Sequence, residues 1–183
     1  MMSTKGTAMS DASVEVLLDD FEDKAKWEVG GAGADRTHLT TFAEGAPAKD
    51  PGVYADGAAG DDHRALVLLV RSADDDLEID LTVEPGRELP IPGQLETVNL
   101  WVRSPHASID VFALLTENGQ ARDLLLGTVS AQGEWQRVRG RLAAPITGAE
   151  LLGLRVRLTE VVKRAGEVMI LLDDLTAGTR DCP

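Results

Sequence analysis

Glu96-Thr97-Val98-Asn99-Leu100-Trp101-Val102-Arg103 decides the fold class. Apolar Val98, Leu100 and Val102 fall at every second position, with Thr97, Asn99, Trp101 and Arg103 between them, which is the period of a strand with one face on a core. After Ser104-Pro105-His106 the pattern resumes in Ser108 to Thr116, where Ile109, Val111, Ala113 and Leu115 are in phase. Asn118-Gly119 tolerates positive φ at both positions and predicts a tight hairpin. Leu124 to Val129 is then the return strand, and Gly133-Glu134-Trp135 opens another in which Val138, Gly140 and Leu142 alternate with Arg137, Arg139 and Arg141.

The same period extends outward on both sides. Asp76 to Val83 alternates without a fault, Leu77, Ile79, Leu81 and Val83 inward and Asp76, Glu78, Asp80 and Thr82 outward. Leu152, Leu154, Val156 and Leu158 alternate with Gly153, Arg155 and Arg157, and Glu167 to Ala177 forms a last strand. Arg64 to Arg71 is rich in β-branched and aliphatic residues and suits a strand covered on both faces. Val14 to Phe21 begins the ordered chain, and Lys24 to Trp27 suits a helical turn. Nine or so short strands without a long amphipathic helix predict an all-β fold, a two-sheet antiparallel β-sandwich of jelly-roll, galactose-binding-like type.

The expected organisation is a flexible tail over 1–13, one domain over 14–177 and a tail over 178–183. Residues 29–63 hold seven Gly, eight Ala and five Asp, a composition with little to bury, and read as one long loop. At 183 residues the chain can bury roughly 70% of its unfolded surface without a covalent staple. Its one cysteine, Cys182, has no partner for an internal disulfide.

A net charge of −13, from 31 acidic and 18 basic residues, repels phosphate backbones and anionic lipid, so nucleic acid is excluded as a partner. No stretch approaches the roughly 20 apolar residues of a membrane span, so no direct membrane insertion is expected. Met1 to Ala12 lacks the apolar run of a signal peptide. Gly30-Gly31-Ala32-Gly33 precedes no helical pattern and makes no phosphate loop. His38, His63 and His106 sit in expected loops and turns with no nucleophile motif beside them, and the chain reads as a non-enzyme.

Three groups of residues are candidate sites. Asp19, Asp20 and Glu22 leave the first strand while Asp173 and Asp174 lie in the last; if those strands pair, Asp20, Glu22, Asp173 and Asp174 converge and suit a structural calcium ion, which takes six to eight oxygens. Solvated strand ends account for the same acids without a metal. Arg137, Arg139, Arg141, Arg155 and Arg157 occupy the outward phase of two strands and merge into a basic stripe if those strands share a sheet. Asp76, Glu78 and Asp80 form an acidic stripe, and complementary stripes on one protein permit heterologous, propagating self-association. Trp101, opposite Val98, Leu100 and Val102, is either a ligand platform or packed beneath another segment. Trp27 and Trp135 are expected to be core or sheet-edge anchors.

The order of features resembles the spirochaete flagellar filament outer-layer, or sheath, protein family. The resemblance is carried by Leu18-Asp19-Asp20-Phe21-Glu22 with Trp27, by Phe42-Ala43-Glu44-Gly45-Ala46-Pro47, and by Pro92-Gly93 leading to Val98-Asn99-Leu100-Trp101-Val102. Leu126-Gly127-Thr128-Val129 with Gly133-Glu134-Trp135, and Leu171-Leu172-Asp173-Asp174-Leu175, complete it. It implies a structural role in a periplasmic flagellar sheath serving motility, with the flagellar core filament protein and other sheath proteins as partners. The location is then periplasmic if a signal peptide has been removed, and cytoplasmic if the visible N-terminus is native. The acidic-aromatic opening, the Gly-x-Trp element and the closing Asp pair recur across carbohydrate-binding jelly rolls, so a carbohydrate-binding module or adaptor domain is the alternative.

Overall fold

The computed structural model describes residues 14–43, 46, 64–163 and 165–181. Their strands are β1 (Val14–Asp19), β2 (Trp27–Gly30), β3 (Thr37–Phe42), β4 (Ala65–Arg71), β5 (Glu78–Val83) and β6 (Leu89–Pro90), followed by β7 (Gln94–Arg103), β8 (Ala107–Glu117), β9 (Gln120–Val129), β10 (Gln136–Thr147), β11 (Glu150–Val161) and β12 (Glu167–Arg180). Among the described residues the helical content is one 3-10 turn, Ala34–Arg36. One sheet runs β10-β7-β12-β4-β3 with β1 also paired to β12; the other runs β2-β5-β11-β8-β9 with β6 also paired to β11.

The alternation fixes which faces meet. Leu66, Leu68 and Val70 of β4, Val98, Leu100 and Val102 of β7, and Val168, Ile170 and Leu172 of β12 form the inner face of the first sheet. Ile79 and Leu81 of β5, Ile109 and Val111 of β8, and Leu154, Val156 and Leu158 of β11 meet them from the second, in one continuous cluster. Asn118 and Gly119 have φ of 53° and 80°, the left-handed pair that the β8–β9 hairpin requires.

The N-terminal corner is locked by Phe21 and Trp27, whose rings lie 5.5 Å apart at 53°. The Trp27 indole donates to Asp19. Burial raises the Asp19 carboxyl above its ordinary value; the Trp27 bond and the Lys26 charge oppose that shift without cancelling it. Trp27 is thus a core anchor, as expected, and Trp135 packs at the margin of a small outer cluster of Ala65, Val67 and Leu171.

Several expectations need correction. The segment read as a loop from residue 29 contains β3, which pairs with β4 from Thr37↔Val70 to Phe42↔Ala65. Its β-branched Thr37, Thr40 and Thr41 carry the strand preference that the glycine-rich average concealed. Residues 44–45 and 47–63 of that expected loop lie outside the described residues, as do the expected tail over 1–13 and Cys182. At the other end β12 continues to Arg180, past the boundary expected at 177. Asp76 has φ 70° and precedes β5 rather than belonging to it. Thr97 and Asn99, on the face opposite Val98, Leu100 and Val102, are also buried, and Asn99 is bonded between the Arg139 and Thr176 side chains. His106 is no solvated turn residue: its Nδ1 accepts a hydrogen bond from the Met169 amide at 3.1 Å.

Candidate functional site

Because Val98, Leu100 and Val102 point into the core, Thr97, Asn99 and Trp101 project from the outer face of the first sheet. Register aligns them into rows across the strands. Arg141, Thr97, Gly178 and Glu15 form one row, Arg139, Asn99, Thr176 and Leu17 the next, and Arg137, Trp101 and Asp173 a third.

A chain of polar contacts crosses four strands along these rows. Arg139 Nε donates to Asn99 Oδ1 at 2.8 Å, and Asn99 Nδ2 donates to Thr176 Oγ1 at 3.2 Å. The Thr176 hydroxyl donates to Glu15 Oε2 at 2.5 Å, and the Arg137 guanidinium donates to the same carboxylate oxygen. Every side chain in the relay is therefore held in place before any ligand arrives, which reduces the ordering cost of binding.

Beside the relay is an open groove of about 180 Å³. Thr97, Asn99 and Gly178 make its floor, Val14 and Glu15 of β1 one wall, and Arg139 and Arg141 of β10 the other. Two sequence details shape it. A Cβ at residue 178 would come within 2.2 Å of Thr97 Oγ1, so glycine lets the floor lie flat. A bulge in β7 puts Leu95 and Thr97 opposite the adjacent residues Thr179 and Gly178, and the extra residue, Glu96, turns toward the groove. There Glu96 pairs with Arg180 at 3.0 Å.

The candidate site residues read from the sequence separate into three outcomes. Trp101 does project from the face opposite the core, half-buried, one row beyond Asn99. The arginines do not merge into a stripe: Arg137, Arg139 and Arg141 stand on β10 in the first sheet, whereas Arg155 and Arg157 stand on β11 in the second. The acidic stripe lies alongside that second set. Arg155 bridges Asp80 at 2.8 Å and Asp123 at 2.9 Å, and Arg157 reaches Asp76 at 3.4 Å, so those charges neutralise one another within one face. Glu78 faces Arg157 in register.

Register does bring the acidic end of β1 beside Asp173 and Asp174 in the middle of β12, Asp19 lying opposite Leu175. The carboxylates of Asp20, Glu22 and Asp173, three of the four expected cation ligands, serve the main chain there. Asp20 Oδ1 accepts from the Glu22 amide at 3.1 Å, Glu22 Oε2 from the Arg64 amide at 3.0 Å, and Asp173 from the amides of Ala46 at 2.7 Å and Asp174 at 2.9 Å. Among the described residues no group of three or more His, Cys, Asp or Glu is placed to hold a metal ion.

Sequence reading did not reach Glu15, Glu96, Thr97, Asn99, Thr176 or Gly178 as site residues. The polar phase of Thr97 and Asn99 was visible, but their partners come from chain ends more than 75 residues away, at separations of 77 for Asn99–Thr176 and 161 for Thr176–Glu15.

No family model matches the chain, and no curated protein matches it. Solved structures do. A family 61 carbohydrate-binding module in complex with β-1,4-galactotriose is similar with a TM-score of 0.51 and 18% identity, covering 88% of this chain and 94% of that one. The family 11 carbohydrate-binding module from Clostridium thermocellum, in complex with a β-1,3-1,4-mixed-linked tetrasaccharide, gives 0.54 and 12%, covering 94% and 99%. The CBM22-1 and GH10 modules of Clostridium thermocellum xylanase 10B, complexed with xylohexaose, give 0.56 and 18%, covering 92% of this chain and 29% of that one. At such identities the likeness shows the fold: this chain is a two-sheet antiparallel jelly roll of the kind found in carbohydrate-binding modules. The comparisons lend no support to the flagellar sheath family in particular.

Proposed function

We propose that the chain is a non-catalytic carbohydrate-binding module whose ligand lies across the outer face of the β10-β7-β12-β1 strands. The observation that carries this reading is the relay from Arg139 through Asn99 and Thr176 to Glu15, fixed beside an open groove and one row from Trp101. Sugars are recognised by polar groups that fix hydroxyl orientation and by an aromatic ring against an apolar sugar face. Here the polar groups are preorganised, and Trp101 stands about 7 Å from Asn99 along β7, two residues at the strand rise. A saccharide chain laid along β7 therefore meets the ring and then the groove. The similar solved structures were determined with oligosaccharides bound, which supports the class of ligand and leaves its identity to experiment.

Isothermal titration calorimetry against soluble β-1,4-galactan, xylan and mixed-linkage β-glucan, with affinity electrophoresis in parallel, tests the reading. Binding to at least one glycan, weakened at least tenfold in Trp101→Ala and in Asn99→Ala with unchanged circular dichroism, is expected. Absence of binding to every glycan, acidic polymers included, overturns it. The self-association expected from complementary arginine and acidic stripes loses its basis, because Arg155 and Arg157 pair with Asp80, Asp123 and Asp76 on their own face.

A further inference from the structure

We infer that the groove selects an acidic saccharide, one carrying uronate carboxylates; this rests on the carbohydrate-binding reading of the same groove. Two carboxylates line the groove, and each is already matched: Glu15 receives Arg137, and Glu96 receives Arg180 at 3.0 Å. On the opposite wall Arg139 gives its Nε to the neutral Asn99 amide, and its terminal nitrogens bond no described residue. Arg141, exposed two residues further along β10, makes no ion pair with a carboxylate among the described residues, and neither does Arg139.

That is unusual for this chain. With 31 acidic residues against 18 basic ones, most other described arginines bridge a carboxylate or donate to a main-chain carbonyl: Arg36 to Asp74, Arg122 to Glu117, Arg155 to Asp80, Arg71 to the Asp35 carbonyl. Two neighbouring guanidinium groups left unmatched on one wall of a groove make a local positive site on a protein of net charge −13. A guanidinium presents parallel N–H donors whose spacing fits the two oxygens of a carboxylate, and such charge-assisted pairs are stronger than neutral ones. The Arg139 fork is held at a fixed angle by Asn99, so it is preorganised for that pairing. Neutral sugars accept hydrogen bonds from these guanidinium groups but bring no charge to match theirs.

The experiment compares polygalacturonate and alginate with neutral galactan and mixed-linkage glucan, at about 50 and 500 mM salt, on the intact chain, its Arg139→Gln and Arg141→Gln variants, and the Arg155→Gln variant from the opposite sheet. Polyuronate binding about tenfold tighter than neutral glycan, weakened by salt and lost in the Arg139 and Arg141 variants but not in the Arg155 variant, is the expected result. Because the whole protein repels polyanions, such binding cannot come from its overall charge. Neutral glycans binding as tightly, with no salt dependence, overturn the uronate inference while the carbohydrate-binding reading stands. Preference for dextran sulfate over polygalacturonate overturns the carboxylate assignment, and failure of every polymer overturns both readings.

Discussion

Arg155 of β11 grips both carboxylate oxygens of Asp80 on the neighbouring β5, Nε to Oδ1 at 2.8 Å and Nη2 to Oδ2 at 3.4 Å. Asp123 of β9 meets its remaining arm at 2.9 Å. The guanidinium thus ties together three strands of the second sheet. Partly exposed ion pairs contribute little even when bidentate, so Arg155→Met should lower stability by about 1 kcal/mol or less. Urea denaturation measures this, and glycan binding on the opposite sheet should not change.

Leu100 lies at the centre of the core and is fully buried. Replacing it with Ala removes three carbons from a site between two sheets that cannot collapse freely, at a cost of about 2 to 5 kcal/mol. The midpoint of chemical unfolding should shift to lower denaturant with the slope unchanged.

The strands were legible because period-2 alternation survives wherever one face is buried and the other is not. Glu78 to Val83 and Ser108 to Ala113 show this, and the Asn118-Gly119 turn followed from backbone sterics alone. β3 was not legible, since its threonines sit inside a segment whose glycine and alanine content dominates any window average. The charged stripes misled for another reason. Alternation assigns a face to Arg139 and to Arg155, but only strand order says that β10 and β11 belong to different sheets, and sequence carries no local record of strand order. The groove was hidden for the same reason, because its walls come from β1 and β10 and its floor from β7 and β12.

Gly178 supports a separate test of the floor. In Gly178→Ala the new methyl group meets Thr97 Oγ1, which must move in a row already fixed between β7 and β12. Overpacking of this kind costs about 1 to 3 kcal/mol. Calorimetry should show lowered stability, and glycan affinity measured well below the melting temperature should fall as well, since the displaced Thr97 lines the groove.

His106 gives the protein a predictable acid response. Burial, then the charges of Lys163 and Arg103, hold its imidazole below the ordinary value of 6.5, and its unprotonated Nδ1 accepts the Met169 amide. A depressed folded value means that the neutral form stabilises the fold: this contribution is complete above pH 6.5 and is lost as pH falls through the folded value. The melting temperature should therefore decline on acidification below pH 6.5 more steeply in the parent than in His106→Gln. Parallel melting curves for the two proteins across pH 7.5 to about 4.5 would show otherwise if the assignment is wrong.

β1 pairs with the last turnings of β12, Val14 opposite Thr179 and Leu17 opposite Thr176. A ribosome must therefore release nearly all of this sequence before Glu15 can reach Thr176 and Arg137. Contacts between such distant positions close late because loop entropy has to be overcome first. The core strands β7 to β11, joined by short connections, can assemble earlier and still present no finished groove. Ligand capture during synthesis or refolding would then report the final step, the arrival of the first strand at its place beside the last, and a stopped-flow experiment with a fluorescent oligosaccharide could time that step apart from the collapse of the core.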